Sequence, residues 1–193
     1  MESKIERFRG ENFMGEIKTP DMVNLVMFIF ASHIDYWFEE LKPILLKEFG
    51  PMDYVSPNLD FEKYTLYYRE EMGQGLMGKL VSFEKLIHPS QLADIKYVTM
   101  SLERRFSVEG KRKINIDPGY IHHTQFVLAS TKHWGNRIYI GKGIYAEVTL
   151  VYMKGNFHHL PFTYPNYQEK DYKDHLERIR KIYLKKRRKF LKK

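Results

Sequence analysis

The residues with the clearest chemical potential lie in the second half of the chain, where acids and cations fall at the ends of predicted strands. Asp117 ends one strand, Lys132 ends the next, and Arg137 begins a third. In the strand that follows, the alternation of side chains places Tyr145 and Glu147 on one face. Glutamate is disfavoured in the middle of a strand, and a half-buried one requires a cation beside it. We therefore expect Glu147 to contact Lys132 or Arg137.

Three interpretations of this group of residues remain open. The first is a structural ion pair. The second is a ligand-binding site in which the cations contact a small anion such as a nucleotide, with Tyr68 and Glu71 from an earlier segment in the same candidate set. The third is a small enzyme that uses Asp117 or Glu147 as a general base beside Lys132. The sequence does not decide between an enzyme and a binding protein.

A glycine-rich segment is a weaker candidate for phosphate contact. Gly73, Gly75 and Gly78 match the spacing G-x-G-x-x-G, and the segment also matches G-x-x-x-x-G-K through Lys79. A P-loop requires Ser or Thr after the lysine to bind magnesium, and Leu80 occupies that position. The following residues predict a strand instead of the helix whose N-terminus would face phosphate. We interpret the segment as a flexible turn, with phosphate contact as the alternative.

Two histidine pairs raise the question of a metal site. His122 and His123 are adjacent, as are His158 and His159. Neighbouring side chains on a strand point to opposite faces, so each pair could give only one ligand to a given ion. We therefore predict neither a metal site nor a cofactor. The chain contains no cysteine, which excludes disulfides and thiolate chemistry and fits a thermostable composition.

The positive charge of the chain is concentrated at its C-terminus. Residues 178–193 contain ten lysines and arginines and no acid, whereas the whole chain has a net charge of +8. The rest of the protein is therefore slightly acidic. This segment could contact nucleic acid through its phosphates. The alternative is a helix end that serves solubility.

The elements that must position these residues can be predicted from hydrophobic periodicity. Residues 22–31 are apolar at nearly every position, which predicts a central strand covered on both faces. Apolar residues at three- and four-residue spacing predict helices over residues 34–49, 90–107 and 168–190. Within the first of these, Pro43 should kink or split the helix.

Short apolar or alternating runs bounded by turn residues predict the remaining strands. The helix over residues 90–107 should begin with Ser90 as its N-cap. The late strands are expected to form an antiparallel meander with turns at residues 133–136 and 141–143. The predicted strands are 53–59, 64–71, 79–87, 112–117, 125–132, 137–141 and 143–152.

This order of elements predicts one α+β domain over residues 1–193, with helices packed on a mixed sheet. A ferredoxin-like β-α-β-β-α-β core followed by the meander and the basic helix is one topology that fits. The longest apolar run, Leu25 to Ala31, is too short to cross a membrane, and the N-terminus has no secretory signal. We expect a soluble, cytoplasmic protein without a membrane partner. The sequence does not determine its oligomeric state.

Five segments resemble a small family of bacterial and archaeal proteins catalogued as a domain of unknown function. The resemblance covers nearly the whole chain, and its last two segments are the most specific. Some members carry the label GTP-binding regulator, so the resemblance implies a nucleotide function. It supplies no catalytic residues. The segments are residues 12–16, 68–73, 82–87, 115–120 (NIDPGY) and 143–150 (GIYAEVTL).

Overall fold

The structure is a computed structural model that describes residues 17–191. The N-terminal segment tested for a signal, residues 12–16 of the family resemblance, and the last two lysines of the basic segment lie outside the described residues. No helix within the described part of the chain is long and apolar enough to cross a membrane.

The described residues form eleven strands and five α-helices, with single 3-10 turns at Glu62–Tyr64 and Pro89–Gln91. In chain order they are β1 (Val23–Ala31), α1 (Ile34–Phe49), β2 (Met52–Val55), β3 (Leu59–Asp60), α2 (Arg69–Met72), β4 (Met77–Ile87), α3 (Leu92–Arg105), β5 (Ser107–Val108), β6 (Lys111–Arg112), β7 (Asn115–Ile121), β8 (Gln125–Ser130), β9 (Arg137–Gly141), β10 (Ile144–Met153), β11 (Asn156–His159), α4 (Pro165–Gln168) and α5 (Lys170–Leu191).

One large sheet organises the molecule, with the strand order β11-β10-β8-β7-β1-β4-β2. Strand β3 lies beside β4, and β9 lies beside β10. All of these neighbours run antiparallel. The four strands β7-β1-β4-β2, with α1 and α3 as their crossovers, have the strand order of a ferredoxin-like unit. The predicted α+β class is therefore confirmed.

The central strand β1 is covered on both faces, as its almost wholly apolar sequence predicted. Met27 and Ile29 pack against α1 and α3. Phe28 and Phe30, on the opposite face, pack against α5 and an aromatic layer. A strand with helices on both sides must be apolar at odd and even positions alike, because neither face meets water. The side chains that α5 buries on the sheet are Tyr172, Leu176, Ile179 and Tyr183.

The predicted strand over residues 64–71 is wrong. This segment contains the end of a 3-10 turn, a further turn at residues 67–68 and most of helix α2. Two of its tyrosines, Tyr64 and Tyr68, pack on the core of the sheet: the ring of Tyr68 lies 4.9 Å from that of Phe30 and 6.0 Å from that of Phe61. Aromatic packing explains the tyrosine-rich composition that the sequence analysis attributed to a strand.

Two expectations about helices also differ from the structure. Helix α1 continues through Pro43 without being split, and Leu41 and Leu45 are fully buried on either side of the proline. Burial on both sides offsets the hydrogen bond that proline cannot donate. Helix α3, which was predicted to begin at Ser90, begins at Leu92. The 3-10 turn before it is capped by His88 and not by Ser90: His88 Nδ1 accepts a hydrogen bond from the Ser90 amide at 3.3 Å.

Strands β7 and β8 pair over only half their length, and this creates an opening in the sheet. Strand β7 pairs with β1 from Asn115 to Ile121, but with β8 only from Gly119 onward. Gly119 stands at the vertex, where a Cβ would lie 2.3 Å from the Val127 carbonyl oxygen. Pro118, just before it, has no N–H to donate to a ladder. We call this opening the fork.

The late strands are antiparallel, but their order differs from a simple meander. Strand β8 pairs directly with β10, and β9 folds back along the other edge of β10. Strand β11 occupies the remainder of that edge. This arrangement leaves β9 at the rim of the sheet, next to the fork.

Candidate functional site

The fork holds a cleft of about 550 Å³. Helix α3 lines it from one face of the sheet, and two aromatic segments, residues 61–68 and 164–167, line it from the other. The walls are the separated ends of β7 and β8 together with one residue of β10. The polar and charged side chains that line it include Lys96, Glu103, Arg112, Asn115, Asp117, Lys132, Arg137, Glu147, Tyr164, Asn166 and Tyr167.

Helix α3 supplies a buried cation to the cleft. Lys96 Nζ lies 3.4 Å from Asp117 Oδ1 and donates to the Ile116 carbonyl at 3.2 Å. The side chain of Lys96 is 8% exposed, whereas that of Asp117 is 35% exposed. The lysine thus holds in place an acid that solvent and ligands can reach.

A second acid from the same helix is bound more deeply. Glu103 Oε1 accepts a hydrogen bond of 2.8 Å from the Ile116 amide. Burial raises the pKa of Glu103, and the nearby Lys96 ammonium opposes that rise. Glu103 and Lys96 together fix the position of β7 at the fork, because both contact the backbone of Ile116.

Arg112 connects the cleft with one of the predicted ligand residues, Glu71. Its Nε and Nη2 atoms donate to the two oxygens of Glu71 at 2.6 and 2.8 Å. This bidentate contact lowers the pKa of Glu71. Arg112 Nη1 also donates to Asn115 Oδ1 at 2.9 Å. Glu71 is therefore held behind the cleft wall and does not line it.

The expected cation beside Glu147 is Arg137. Its Nε donates to Glu147 Oε2 at 2.7 Å, and the two side chains are 7% and 3% exposed. Arg137 also donates to the Lys132 carbonyl and to the Tyr164 hydroxyl, both at 2.9 Å. The ammonium of Lys132 is directed elsewhere, 5.1 Å from the centre of the Tyr67 ring at the cleft mouth.

Four residues that line the cleft each have a fully buried polar atom that makes no well-formed hydrogen bond to a described residue, although the Asn166 amide lies close to the Tyr167 and Tyr172 hydroxyls. The atoms are Asn115 Nδ2, Glu147 Oε1, Asn166 Nδ2 and the Tyr167 hydroxyl. Buried polar atoms in native proteins are nearly always hydrogen-bonded, and leaving one unpaired costs about 1–3 kcal/mol. Because their residues line the cleft, these atoms are candidates for contact with a ligand if side chains in the cleft move to expose them.

Two tyrosines that line the cleft, Tyr68 and Tyr167, have raised pKa values and remain protonated over the physiological range. Burial raises the pKa of Tyr68 and, well above its ordinary value, that of Tyr167, and the charge of Asp117 raises both further. Each phenol therefore keeps a proton to donate. Tyr68 lines the cleft, as the predicted ligand set requires.

Tyr145 and the glycine segment are not among the residues that line the cleft. The Tyr145 ring packs 5.4 Å from His133 and 5.5 Å from Tyr139. The amide of Gly75 donates to Glu62 Oε2 at 3.1 Å, which ties the glycine turn to a neighbouring loop.

The remaining residues of that segment have structural contacts. Gly73 ends α2 with a φ of 91°, a conformation that favours glycine. A Cβ at Gly78 would lie 2.4 Å from the Phe28 ring. Lys79 Nζ lies 3.1 Å from Asp35 Oδ1. Phosphate contact by Gly73, Gly75, Gly78 and Lys79 remains an untested prediction, at a place separate from the cleft.

Sequence reasoning missed the residues that α3 and the 164–167 segment bring to the cleft. Lys96 and Glu103 carried a signal, because both lie on the buried stripe of their helix beside Leu92 and Leu102. A charge inside an apolar stripe is expensive unless it has a partner. Asn166 and Tyr167 had no comparable local signal.

A histidine cluster lies apart from the cleft, near the start of β1. The rings of His122 and His123 are 3.9 Å apart, and both approach Asp21. The pair converges because it lies in the turn after β7, where the strand rule used in the sequence analysis does not apply. Arg187 Nε already donates to Asp21 Oδ2 at 2.7 Å. A cation thus occupies this carboxylate, and we assign no metal to the cluster.

The basic C-terminal helix has a docked side and an exposed side. Lys186 contacts Asp53 and Asn24, and Arg180 donates to the His123 carbonyl at 2.9 Å. Those cations hold α5 on the body of the protein. The exposed basic residues of α5 from residue 178 to residue 191 are Arg178, Lys181, Lys185, Arg188 and Lys189.

The fold and the cleft define an α+β protein with a ferredoxin-like core whose sheet is opened by a polar, aromatic-lined cleft. The chain matches the family model described as Domain of unknown function (DUF4416) over residues 21–183, and it belongs to that family. Comparisons with curated proteins and with solved structures found no match. The matched range includes every lining residue of the cleft, so the cleft belongs to the family domain.

Proposed function

We propose that this protein binds a small ligand in the cleft, one with a polar ring-containing body and a single anionic group. The observation that carries the proposal is a cleft of about 550 Å³ lined by charged and aromatic residues, four of which have a buried polar atom without a well-formed hydrogen bond. That volume lies within the range of about 300–1,000 Å³ that small-molecule sites occupy.

The charge of the cleft supports a ligand with little negative charge. Lys96, Arg112 and Arg137 each contact a carboxylate. Among the described cleft residues, Lys132 is the cation that contacts no carboxylate, and it lies at the mouth. One free ammonium matches one phosphate or carboxylate group. A single ammonium does not neutralise the charge of a nucleoside triphosphate. If the nucleotide function implied by the family resemblance applies here, a monophosphate fits this cleft best.

The other groups in the cleft suit a hydroxylated or heterocyclic body. Asp117 and Glu147 Oε1 can accept hydrogen bonds from O–H or N–H groups, and the Asn115 and Asn166 amides can donate to carbonyl or ring nitrogen acceptors. The tyrosines of the 64–68 segment offer ring faces for stacking. A nucleoside monophosphate combines these features and fits the cytoplasmic location expected from the cysteine-free sequence.

Binding can be tested by thermal shift and calorimetry with AMP, GMP, UMP, GTP and inorganic phosphate. A ligand at 100 times its dissociation constant should stabilise the protein by about 2.7 kcal/mol, which is roughly 5–10 °C for a domain of this size. We expect a monophosphate to bind more tightly than GTP. If none of these probes shifts the transition or releases heat, the proposal fails.

Lys132→Met distinguishes binding in the cleft from binding to the basic helix. The variant should weaken a monophosphate about tenfold or more, equivalent to about 1.4 kcal/mol, and leave the corresponding nucleoside unaffected. Lys185→Met, which removes an exposed charge from α5, is the matched control and should bind like the parent protein. Equal losses in the two variants would indicate non-specific attraction to positive charge.

A second candidate function is contact with RNA through α5. The observation that favours it is the set of five exposed cations on the outer side of a helix whose inner side is firmly docked. Charge reversal of Lys185 and Arg188 should then lower retention on heparin and RNA and reduce its salt dependence. Retention unchanged by that reversal would remove this candidate.

A further inference from the structure

Strand β9 exposes apolar side chains on both faces of an open sheet edge. Ile138, Tyr139 and Ile140 expose between 37% and 70% of their surface, and Trp134 in the preceding turn exposes 67%. On one side β9 pairs with β10. On its other side, the backbone of residues 138–140 has no hydrogen bond to any other described residue.

Of the features that normally keep an open strand from pairing with another chain, β9 has a bulge at its Gly141 end and lacks the others. Natural edge strands are protected by lysines, prolines, bulges or covering segments. Strand β9 contains no lysine, acid or proline, and its one charged side chain, Arg137, turns inward to Glu147. Its unprotected edge therefore favours an interface over a solvent-exposed surface.

The exposed area is large enough for a dimer contact. A fully exposed side chain of this size presents roughly 150–250 Å², so the exposed fractions of these four side chains sum to on the order of 500 Å² over the two faces of β9. Two such patches sum to about 1,000 Å², the lower bound for a specific protein–protein interface.

We propose that a second copy of this chain pairs antiparallel with β9, on a two-fold axis that passes beside Tyr139. In this register Tyr139 lies opposite Tyr139 of the second copy, and Ile138 lies opposite Ile140 of the second copy. Arg137 lies opposite Gly141 of the second copy, so no like charges meet. The contact is isologous and closes after two subunits, and it joins the two sheets through the backbone groups left open on β9.

Single-cysteine variants test this register on a chain that has no native cysteine. Directly opposed residues of an antiparallel pair have Cα atoms about 4.5–5.5 Å apart, which suits a disulfide. Tyr139→Cys should therefore form a covalent dimer under mild oxidation. Ile138→Cys is offset from its own counterpart by two residues, about 8 Å away, and should cross-link far less. Val108→Cys, exposed on β5, is the collision control.

The dimer itself can be measured by light scattering after size exclusion and by sedimentation. The parent protein should be a dimer, and Ile138→Lys and Ile140→Lys should each give folded monomers, because a lysine protects the edge. Val108→Lys should leave the dimer intact. A parent protein that stays monomeric at all concentrations would overturn the proposal. Equal cross-linking of all three cysteine variants would overturn it as well, as would dissociation by Val108→Lys.

Discussion

Arg137 and Glu147 form an ion pair that is buried in the cleft wall and still leaves one carboxylate oxygen unpartnered. The Arg137 Nε to Glu147 Oε2 distance is 2.7 Å, while Glu147 Oε1 has no partner among the described residues. The pair therefore combines two of the interpretations that the sequence left open. One oxygen is held by Arg137, and the other is the atom that we propose contacts the ligand.

Removing one member of this pair should destabilise the protein strongly. Glu147→Ala should lower the free energy of unfolding by about 3–5 kcal/mol, because it leaves the Arg137 charge buried without a carboxylate. The double variant Arg137→Met/Glu147→Leu should recover much of that loss. Urea unfolding measures both.

The exposed pair formed by Lys142 and Asp94 is the control for this experiment. Asp94→Ala should lower the free energy of unfolding by less than about 1 kcal/mol, since exposed ion pairs contribute little to stability. A loss in Glu147→Ala no larger than that in Asp94→Ala would show that burial of the pair has no energetic consequence.

Gly119 should be intolerant of any side chain. In Gly119→Ala the new Cβ would lie 2.3 Å from the Val127 carbonyl oxygen, so the backbone at the fork must shift. We expect the free energy of unfolding to fall by roughly 1–3 kcal/mol. Any ligand found for the cleft should also bind more weakly. Gly135→Ala is the matched control, because nothing lies within 4 Å of its Cβ position. Equal stability of the two variants would contradict the close approach that defines the fork.

Two neighbouring lysines on α5 should differ sharply in their effect on stability. Lys186 contacts Asp53 and Asn24 and donates to the Phe83 carbonyl at 2.6 Å, whereas Lys185 is exposed. Lys186→Ala should lower the free energy of unfolding by about 1–3 kcal/mol, because the largely buried Asp53 carboxylate then loses its partner. Lys185→Ala should stay within about 0.5 kcal/mol of the parent. Denaturant unfolding of both variants decides whether α5 is docked through Lys186.

The stability of the protein should fall as the pH drops below about 6.5, the ordinary pKa of histidine. Burial is the main cause that lowers the pKa of both His122 and His123. The charge of His123 lowers the pKa of His122 further, and the charge of Arg187 lowers that of His123. Asp21 acts in the opposite direction on both. A folded-state pKa below the unfolded one means that the unfolded chain takes up protons first, so acid favours unfolding. Above about pH 7 the histidines are neutral in both the folded and the unfolded chain, so they no longer make stability depend on pH.

Urea unfolding between pH 5 and 8 measures this dependence. In the variant His122→Gln/His123→Gln, the free energy of unfolding should decrease less steeply as the pH is lowered. His175, whose pKa burial also lowers, should account for part of the remaining slope. A stability that rises from pH 7 to pH 6, or an unchanged slope in the double variant, would contradict the assignment.

Several features of the fold could be predicted because burial imposes a local period. The uniformly apolar run of β1 indicated cover on both faces, and the apolar stripe of α5 indicated a docked helix. The contact between Glu147 and Arg137 could also be predicted from the local sequence. The two residues lie on adjacent strands joined by a short turn, so the hairpin register brings them together.

The cleft itself could not be predicted, because its residues converge from elements that are distant in the chain. Lys96 reaches Asp117 only because α3 crosses the sheet at the fork. The fork exists because β7 and β8 separate before Gly119, and no local pattern encodes where two strands stop pairing. Residues 64–71 were assigned to a strand because tyrosine favours strands, whereas their rings instead cover the sheet.

The amino-acid sequence by itself determined the α+β class, the central strand, the main helices and the concentration of charge in the last helix, since each depends on composition or on a period of two to four residues. The tertiary structure decided which charges meet, which polar atoms remain unpartnered and where the sheet opens. Those properties depend on the register and divergence of strands far apart in the chain, and the packing of the whole molecule sets them.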